Sequence, residues 1–127
     1  WLKLFGPRLP HAPLGSTPVA MPVTHVVMFT FIESATPEQI EDVKKALLAM
    51  PEEINVIKGI RLGEDLKLPS GQSHPAGKNR SLVGMVDLET AEAYEEYASH
   101  PAHLKVISDF IKPILEPGSR AAIQFAS

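Results

Sequence analysis

The order in which strand-like and helix-like patterns follow one another constrains the fold of this chain more than any other feature. Runs of β-branched, aromatic and other apolar residues predict four strands, at 25–31, 54–62, 81–88 and 120–125. A pattern with apolar residues three or four apart separates the first strand from the second, and another helical region separates the third from the fourth. The chain therefore alternates as strand, helix, strand, strand, helical region, strand.

Capping side chains and prolines mark the boundaries of the helices. Thr36 and Gln39 have the spacing of a capping box, and Pro51 ends the helix that they begin. Pro101 has no N–H and a fixed φ, so it divides the second helical region into a helix before it and a helix after it. We expect the inner face of the last helix to consist of apolar residues: Leu104, Ile107, Phe110, Ile111 and Ile114.

This order predicts an α+β fold of the ferredoxin-like kind, with a four-stranded antiparallel sheet and helices on one face. Gly59 interrupts the second strand, where it favours a bulge or a bend. The first strand is apolar on both faces, so both faces need to be covered. Because an exposed apolar sheet face is a liability in a monomer, we expect two copies to pack sheet against sheet as a homodimer.

Residues 1–20 do not share this pattern. They contain four of the twelve prolines and show no periodicity, so we expect a tail outside a single domain that spans 21–127. If Met21 is the natural start, the tail is a leader, an upstream extension or a cloning remnant. The alternative is an arm that straps onto an apolar groove through four side chains: Trp1, Leu2, Leu4 and Phe5.

The segment 65–79 is too long for a simple hairpin connection between the second and third strands. We expect it to be a lid or an excursion from the fold. His74 lies within it, and we expect this side chain to be solvated rather than functional.

Composition excludes several classes of function. The formal net charge of −3 argues against a nucleic-acid partner, which needs a basic face. The chain has no cysteine, so disulfides and thiolate chemistry are excluded. No apolar run reaches the ~18 residues of a membrane span, and prolines interrupt the region where a signal peptide would lie. We therefore expect a cytoplasmic protein with no membrane partner.

The stretch YASHPAH, at 97–103, concentrates side chains that can transfer protons. Pro101 places His100 at the end of one helix and His103 in the first turn of the next. A free imidazole titrates near ~6.5, so His103 could act as a base near neutral pH, with Tyr97 as donor to a developing enolate. The alternative is structural. In that case His103 pins its helix through a backbone hydrogen bond, Tyr97 packs, and His100 is simply a helix-end histidine.

A metal site is the weaker interpretation of these histidines. His100 and His103 have a suitable spacing, and His25 on the first strand could join them. However, no Asp or Glu lies between the pair, and Pro101 turns the two side chains apart. We therefore predict neither a metal nor any other cofactor.

Four segments of the chain are similar to one known family. They are THVVMFTF at 24–31, LLAMPEEI at 47–54, IKGIRLGEDL at 57–66 and YASHPAHLKVI at 97–107. Together they resemble the stress-responsive dimeric α/β-barrel (Dabb) family, over about Pro22 to Phe125. The resemblance implies a ferredoxin-like subunit, a homodimeric barrel, and a cavity between sheet and helices or near the dimer seam. Members include heat-stable plant stress proteins and a plant polyketide cyclase, so function does not follow from the fold alone.

The resemblance to the cyclase implies roles for individual residues. It places an aldol condensation on Tyr97 and His103, with His25 in support. A further pocket histidine of the cyclase corresponds to Leu82 here, which changes the pocket wall. The expected ligand-binding residues are His25, Val27, Phe29, Leu82, Tyr94, Tyr97, His100 and His103.

Two functions fit these observations. The first is a stress-response-type dimer that binds a small hydrophobic or aromatic molecule between sheet and helices without turnover. The second is a cofactor-free, polyketide cyclase-like lyase or isomerase with His103 as base and Tyr97 as donor. A third interpretation is purely structural, with the dimer assembling further. A cavity bordered by both side chains favours the enzyme, whereas packed apolar side chains in that space disfavour it.

Overall fold

The four strands form one antiparallel sheet with the first strand in its interior. The computed structural model describes residues 21–69 and 79–127, so the predicted tail and His74 lie outside the described residues. The strands are β1 (Val23–Phe29), β2 (Ile57–Glu64), β3 (Leu82–Leu88) and β4 (Ala121–Ala126). Their order across the sheet is β2-β3-β1-β4, and every neighbouring pair is antiparallel. This topology confirms the predicted ferredoxin-like α+β fold.

The helices pack on one face of this sheet. They are α1 (Pro37–Ala49), α2 (Ala91–Ser99) and α3 (Pro101–Val106). A π-helical turn (Ile107–Ile111) and a 3₁₀ turn (Lys112–Ile114) continue α3 toward β4. No helix in residues 21–69 and 79–127 is long and apolar enough to cross a membrane.

The start of α1 is fixed by the predicted capping box. The Thr36 hydroxyl accepts from the Gln39 backbone N–H at 3.1 Å, and the Gln39 side-chain oxygen accepts from the Thr36 N–H at 2.9 Å. These bonds satisfy two backbone donors that a helix start would otherwise leave open. Val43 and Leu47 then project into the core. The α-helix ends at Ala49, and the predicted stop Pro51 lies in the 3₁₀ turn (Met50–Glu52) that directly follows it.

The second strand starts later than predicted. Residues 54–56 form a turn instead, in which the Ile54 N–H donates to the Met50 carbonyl and the Ile57 N–H donates to the Ile54 carbonyl. Ile54 is fully buried, so this apolar residue belongs to the core without being part of a strand. The predicted irregularity at Gly59 is confirmed, because the β2–β3 register shifts between Ile57 and Gly59.

The two faces of the sheet have different environments. His25, Val27 and Phe29 project toward the helices and border a cavity. The alternate residues of β1 face the opposite way, where Val26 pairs with Ile123 of β4. On this far face Ile123 is 60% exposed and Phe125 is 43% exposed. The sheet therefore presents apolar side chains that no residue in 21–69 or 79–127 covers fully.

The predicted inner face of the last helix needs one correction. Leu104 is 51% exposed, whereas Val106 and Ile114 are buried. His103 and Val106 occupy the inward positions of α3, and Leu104 lies ~100° around the helix axis from His103. The π-helical turn then changes the helical period, so a single 3.6-residue pattern cannot describe the whole segment.

Candidate functional site

A cavity of about 160 Å³ lies between the sheet and the helices. Six of the eight expected ligand-binding residues border it: His25, Val27, Phe29, Leu82, Tyr97 and His103. Most of the remaining wall is apolar, with Leu47 from α1, Ile60 and Leu62 from β2, and Ile107 and Ile111 from the π-helical turn. The space beside Tyr97 and His103 is therefore open rather than filled by packed side chains.

Tyr94 and His100 are not among the residues that border the cavity. The Tyr94 ring packs against His25, with the ring centroids 5.2 Å apart. His100 caps α3, because its Nδ1 accepts from the Ala102 backbone N–H at 3.0 Å. Tyr94 thus contacts His25, which borders the cavity, and His100 fixes the start of α3. The structure does not bring either residue to the cavity wall.

His103 is held in one tautomer by the corner between α2 and α3. Its Nδ1 lies 3.0 Å from the Ala98 carbonyl oxygen. A carbonyl can only accept, so Nδ1 carries the proton and Nε2 keeps its lone pair. Burial lowers the pKa of His103 below its ordinary value, and this outweighs the opposite effect of the Ala98 hydrogen bond. The ring is therefore neutral near pH 7 and can accept a proton at Nε2.

The Tyr97 ring packs against both histidines. Its ring centroid is 4.4 Å from that of His103 and 5.8 Å from that of His25. Burial raises the pKa of the Tyr97 phenol to about 12, so the hydroxyl keeps its proton near neutral pH. No other side chain or backbone group in the described part of the chain hydrogen-bonds to this hydroxyl. It can therefore donate a hydrogen bond to a bound molecule.

The His25 ring is held by Gln124, a residue not among the predicted site residues. The Gln124 side-chain nitrogen lies 2.9 Å from His25 Nδ1. An amide N–H donates, so Nδ1 is the acceptor and the proton of the neutral ring is on Nε2. Burial, with smaller effects of Arg120 and His103, lowers the pKa of His25 to about 4. The signal for Gln124 is the register, because Gln124 of β4 directly faces His25 of β1.

Two cationic side chains also border the cavity and were not predicted. Arg120 directly precedes β4, and Lys112 begins the 3₁₀ turn; both are exposed. Alternation along β4 places Arg120 on the same side as Ala122 and Gln124, the side that faces the helices. A polar residue at this end of a strand is expected to face solvent, so the sequence pattern alone gave no reason to select it.

The arrangement is suited to proton transfer to and from a bound molecule. A neutral imidazole with a free Nε2 and a protonated phenol border the same apolar space, as abstraction of a proton next to a carbonyl requires. Within residues 21–69 and 79–127, no three or more His, Asp or Glu side chains gather in a group that could hold a metal ion.

The sequence matches one protein family over most of its length. The family is described as the stress responsive A/B barrel domain, and the match covers residues 23–127. One relative is the stress-response A/B barrel domain-containing protein HS1 of Arabidopsis thaliana. It is 28% identical over 93 residues, which are 71% of this chain and 78% of the relative.

Solved structures share the fold. A dimeric ferredoxin-like protein of unknown function from Thermobifida fusca YX is 30% identical, with a TM-score of 0.69 over 85% of this chain and 92% of that one. Hydroxynitrile lyase from Passiflora edulis superposes with a TM-score of 0.72 over 87% of this chain and 95% of its own, but at 15% identity it shows the fold alone. The family match and the sheet topology agree, and the chain belongs to the stress responsive A/B barrel domain family.

Proposed function

We propose that this protein binds a small hydrophobic or aromatic molecule in the cavity between the sheet and the helices. The observation that carries this proposal is an open, mainly apolar cavity bordered by the polar groups of Tyr97, His103 and His25. Sites for small molecules commonly combine apolar walls with a few converging polar groups in this way. A cavity of about 160 Å³ compares with the ~150 Å³ engineered cavity that binds benzene. It therefore suits a molecule with about one aromatic ring.

We also propose that the functional form is a homodimer in which the far faces of two sheets pack together. Ile123 and Phe125 expose large apolar side chains on that face. The T. fusca protein, 30% identical, is described as dimeric. Pairing the sheets would bury the apolar face, and the hydrophobic effect favours this burial.

Binding can be tested with benzyl alcohol, followed by NMR of labelled methyl groups. We expect saturable shifts at Leu82 and Ile107, which border the cavity. Ile111→Trp places a bulky indole ring in the cavity that Ile111 borders, and it should abolish these shifts. The matched control is Leu48→Trp, at an exposed position of α1, and it should bind as the wild type does. Absence of saturable shifts in the folded wild-type protein would contradict the proposal.

A second function is favoured by a specific observation, the fixed tautomer of His103. With Nδ1 committed to Ala98, Nε2 can take a proton from a carbon next to a carbonyl. The electrons of that C–H bond then move onto the carbonyl oxygen, and the Tyr97 hydroxyl donates to the resulting enolate. This is the first step of a cofactor-free lyase, isomerase or polyketide cyclase-like reaction. Leu82 stands where the plant polyketide cyclase has a pocket histidine, so we expect the substrate here to differ from that of the cyclase.

This catalytic proposal has a test that does not require the natural substrate. Phenylacetone carries one ring and exchangeable protons next to its carbonyl, and their replacement by deuterium in D₂O can be followed by NMR. We expect the wild-type protein to accelerate the exchange. His103→Ala should remove about 10²-fold or more of the acceleration, the usual contribution of a positioned base.

Two further variants make the assignment specific. Tyr97→Phe should slow the exchange while keeping the ring packing. Tyr94→Phe removes a hydroxyl from a residue that does not border the cavity, and it should leave the exchange rate unchanged. Equal rates in the wild type and in a folded His103→Ala variant would remove the base assignment.

A further inference from the structure

Among the residues that the structure describes, the two side chains of Lys and Arg that border the cavity are both positive. Arg120 and Lys112 border it, and no Asp or Glu is among the described residues that do so. A protein with net charge −3 therefore places two positive side chains at this one cavity.

The backbone that carries Arg120 is anchored. The buried Ser119 hydroxyl accepts from the Thr30 N–H at 3.0 Å and donates to the Glu116 carbonyl at 2.7 Å. The Arg80 side chain donates to the Ser119 carbonyl at 2.6 Å. Arg120 itself is exposed, so its guanidinium extends from a fixed point of the backbone and is accessible at the cavity.

The field of Arg120 reaches the interior of the site. It adds to the lowering of the pKa of His25 and His103 and opposes the burial that raises the pKa of Tyr97. All three side chains border the cavity. A positive group that acts on all three side chains favours negative charge in the space between them.

We propose that the natural ligand is an apolar or aromatic molecule that carries a carboxylate, and that Arg120 binds this group at the cavity mouth, with Lys112 as a second positive charge. This inference rests on the proposed binding function and names the chemical class of its ligand. The apolar part of the ligand lies among the apolar wall residues, and the carboxylate stays at the exposed end. A guanidinium suits this role because its planar N–H groups match both carboxylate oxygens. Because the mouth is exposed, neither charge needs to be fully desolvated, which avoids the penalty of a buried ion pair.

The role differs from that of the proton-transfer groups. Tyr97 and His103 act on the reacting part of a bound molecule, whereas Arg120 and Lys112 select which molecule enters. Loss of Arg120 should therefore weaken the binding of anions and leave the binding of neutral analogues unchanged.

The test compares benzoate with benzyl alcohol, two one-ring molecules that differ chiefly in charge. Dissociation constants are measured by NMR titration at low salt on the intact protein. We expect benzoate to bind the wild type about tenfold more tightly than benzyl alcohol, which corresponds to about 1.4 kcal/mol. Arg120→Gln should remove most of this preference without changing the affinity for benzyl alcohol. Arg120→Lys should retain part of it, and added salt should reduce it in the wild type.

Matched controls separate local from general charge effects. Lys112→Gln should lower the benzoate affinity by a smaller factor than Arg120→Gln. Lys45→Gln changes the net charge equally, at an exposed position of α1 away from the cavity, and should leave the preference intact. A preference that falls equally in Lys45→Gln and Arg120→Gln would overturn the inference.

The outcomes also distinguish this inference from the function on which it rests. If benzyl alcohol and benzoate bind the cavity of the wild type equally well, the anion inference fails and the binding proposal stands. If neither molecule shifts the cavity methyl groups, both fail. If benzoate is preferred and Arg120→Gln abolishes the preference, both are supported.

Discussion

The buried His25 makes the stability of this protein depend on pH in a calculable way. Only 3% of the residue is exposed, and its pKa is lowered from 6.5 to about 4. Each pKa unit corresponds to about 1.4 kcal/mol. The neutral His25 of the folded state therefore accounts for about 3 kcal/mol of the pH dependence of the unfolding free energy.

The sign follows from which state binds the proton first. Between pH 6.5 and about 4, His25 is protonated in the unfolded chain but still neutral in the folded protein. The unfolded state binds more protons in this range, so the free energy of unfolding rises with pH. The contribution is complete above pH 6.5 and is lost as the pH falls toward about 4.

The perturbation that isolates this contribution is His25→Gln, since glutamine does not titrate. Unfolding free energies from urea denaturation, at one fixed protein concentration, are compared for the wild type and the variant between about pH 7.5 and about pH 4. The wild type should lose about 3 kcal/mol more than the variant over this range. His103, whose pKa is also lowered, acts in the same direction in both proteins, so its effect cancels in the comparison.

The absolute stability of the variant does not enter the test, because only the difference between the two pH profiles is used. Leu104→Gln serves as the control and should follow the wild-type profile, since neither side chain titrates and Leu104 is exposed on α3. Parallel profiles for the wild type and His25→Gln would refute the reasoning.

Three further predictions concern the dimer, a helix cap and the histidine tautomer. Ile123→Glu should give a monomer in sedimentation, whereas Leu104→Glu, a similarly exposed site on the helical side, should remain dimeric; a dimeric Ile123→Glu would place the interface elsewhere. Thr36→Ala removes the cap of α1 and should lower the unfolding free energy by about 1 kcal/mol in urea denaturation, and an unchanged midpoint would contradict this. Gln124→Leu removes the donor to His25 Nδ1 and should shift the ¹⁵N resonances of that ring from one tautomer toward a mixture; unchanged resonances would show that Gln124 does not fix it.

The features that could be predicted from the sequence depend on neighbours along the chain. The capping box of Thr36 and Gln39 spans three residues, and both of its hydrogen bonds are present. The order of strands and helices follows from local patterns and is confirmed. The irregularity at Gly59 is likewise a local property of the backbone. These elements were sufficient to predict the ferredoxin-like topology.

The features that the sequence did not reveal depend on register between distant segments. Gln124 meets His25 across 99 residues, and only the β1–β4 pairing brings them together. The same pairing turns Arg120 toward the helices, against the usual expectation for a charged residue at a strand end. Leu104 was assigned to the wrong face because a π-helical turn cannot be distinguished from an α-helix by its composition.

Because of the π-helical turn at Ile107–Ile111, a change of one residue in chain length can alter which ligand the cavity accepts. A π turn holds one residue more than the α-helical turn it replaces. Deleting one residue there would restore a continuous α-helix and rotate the following segment, including Lys112, by ~100° about the axis. Ile107 and Ile111 both border the cavity. One insertion or deletion would thus reshape the wall and move a charge at its mouth, while Tyr97 and His103 stayed in place on the preceding helices.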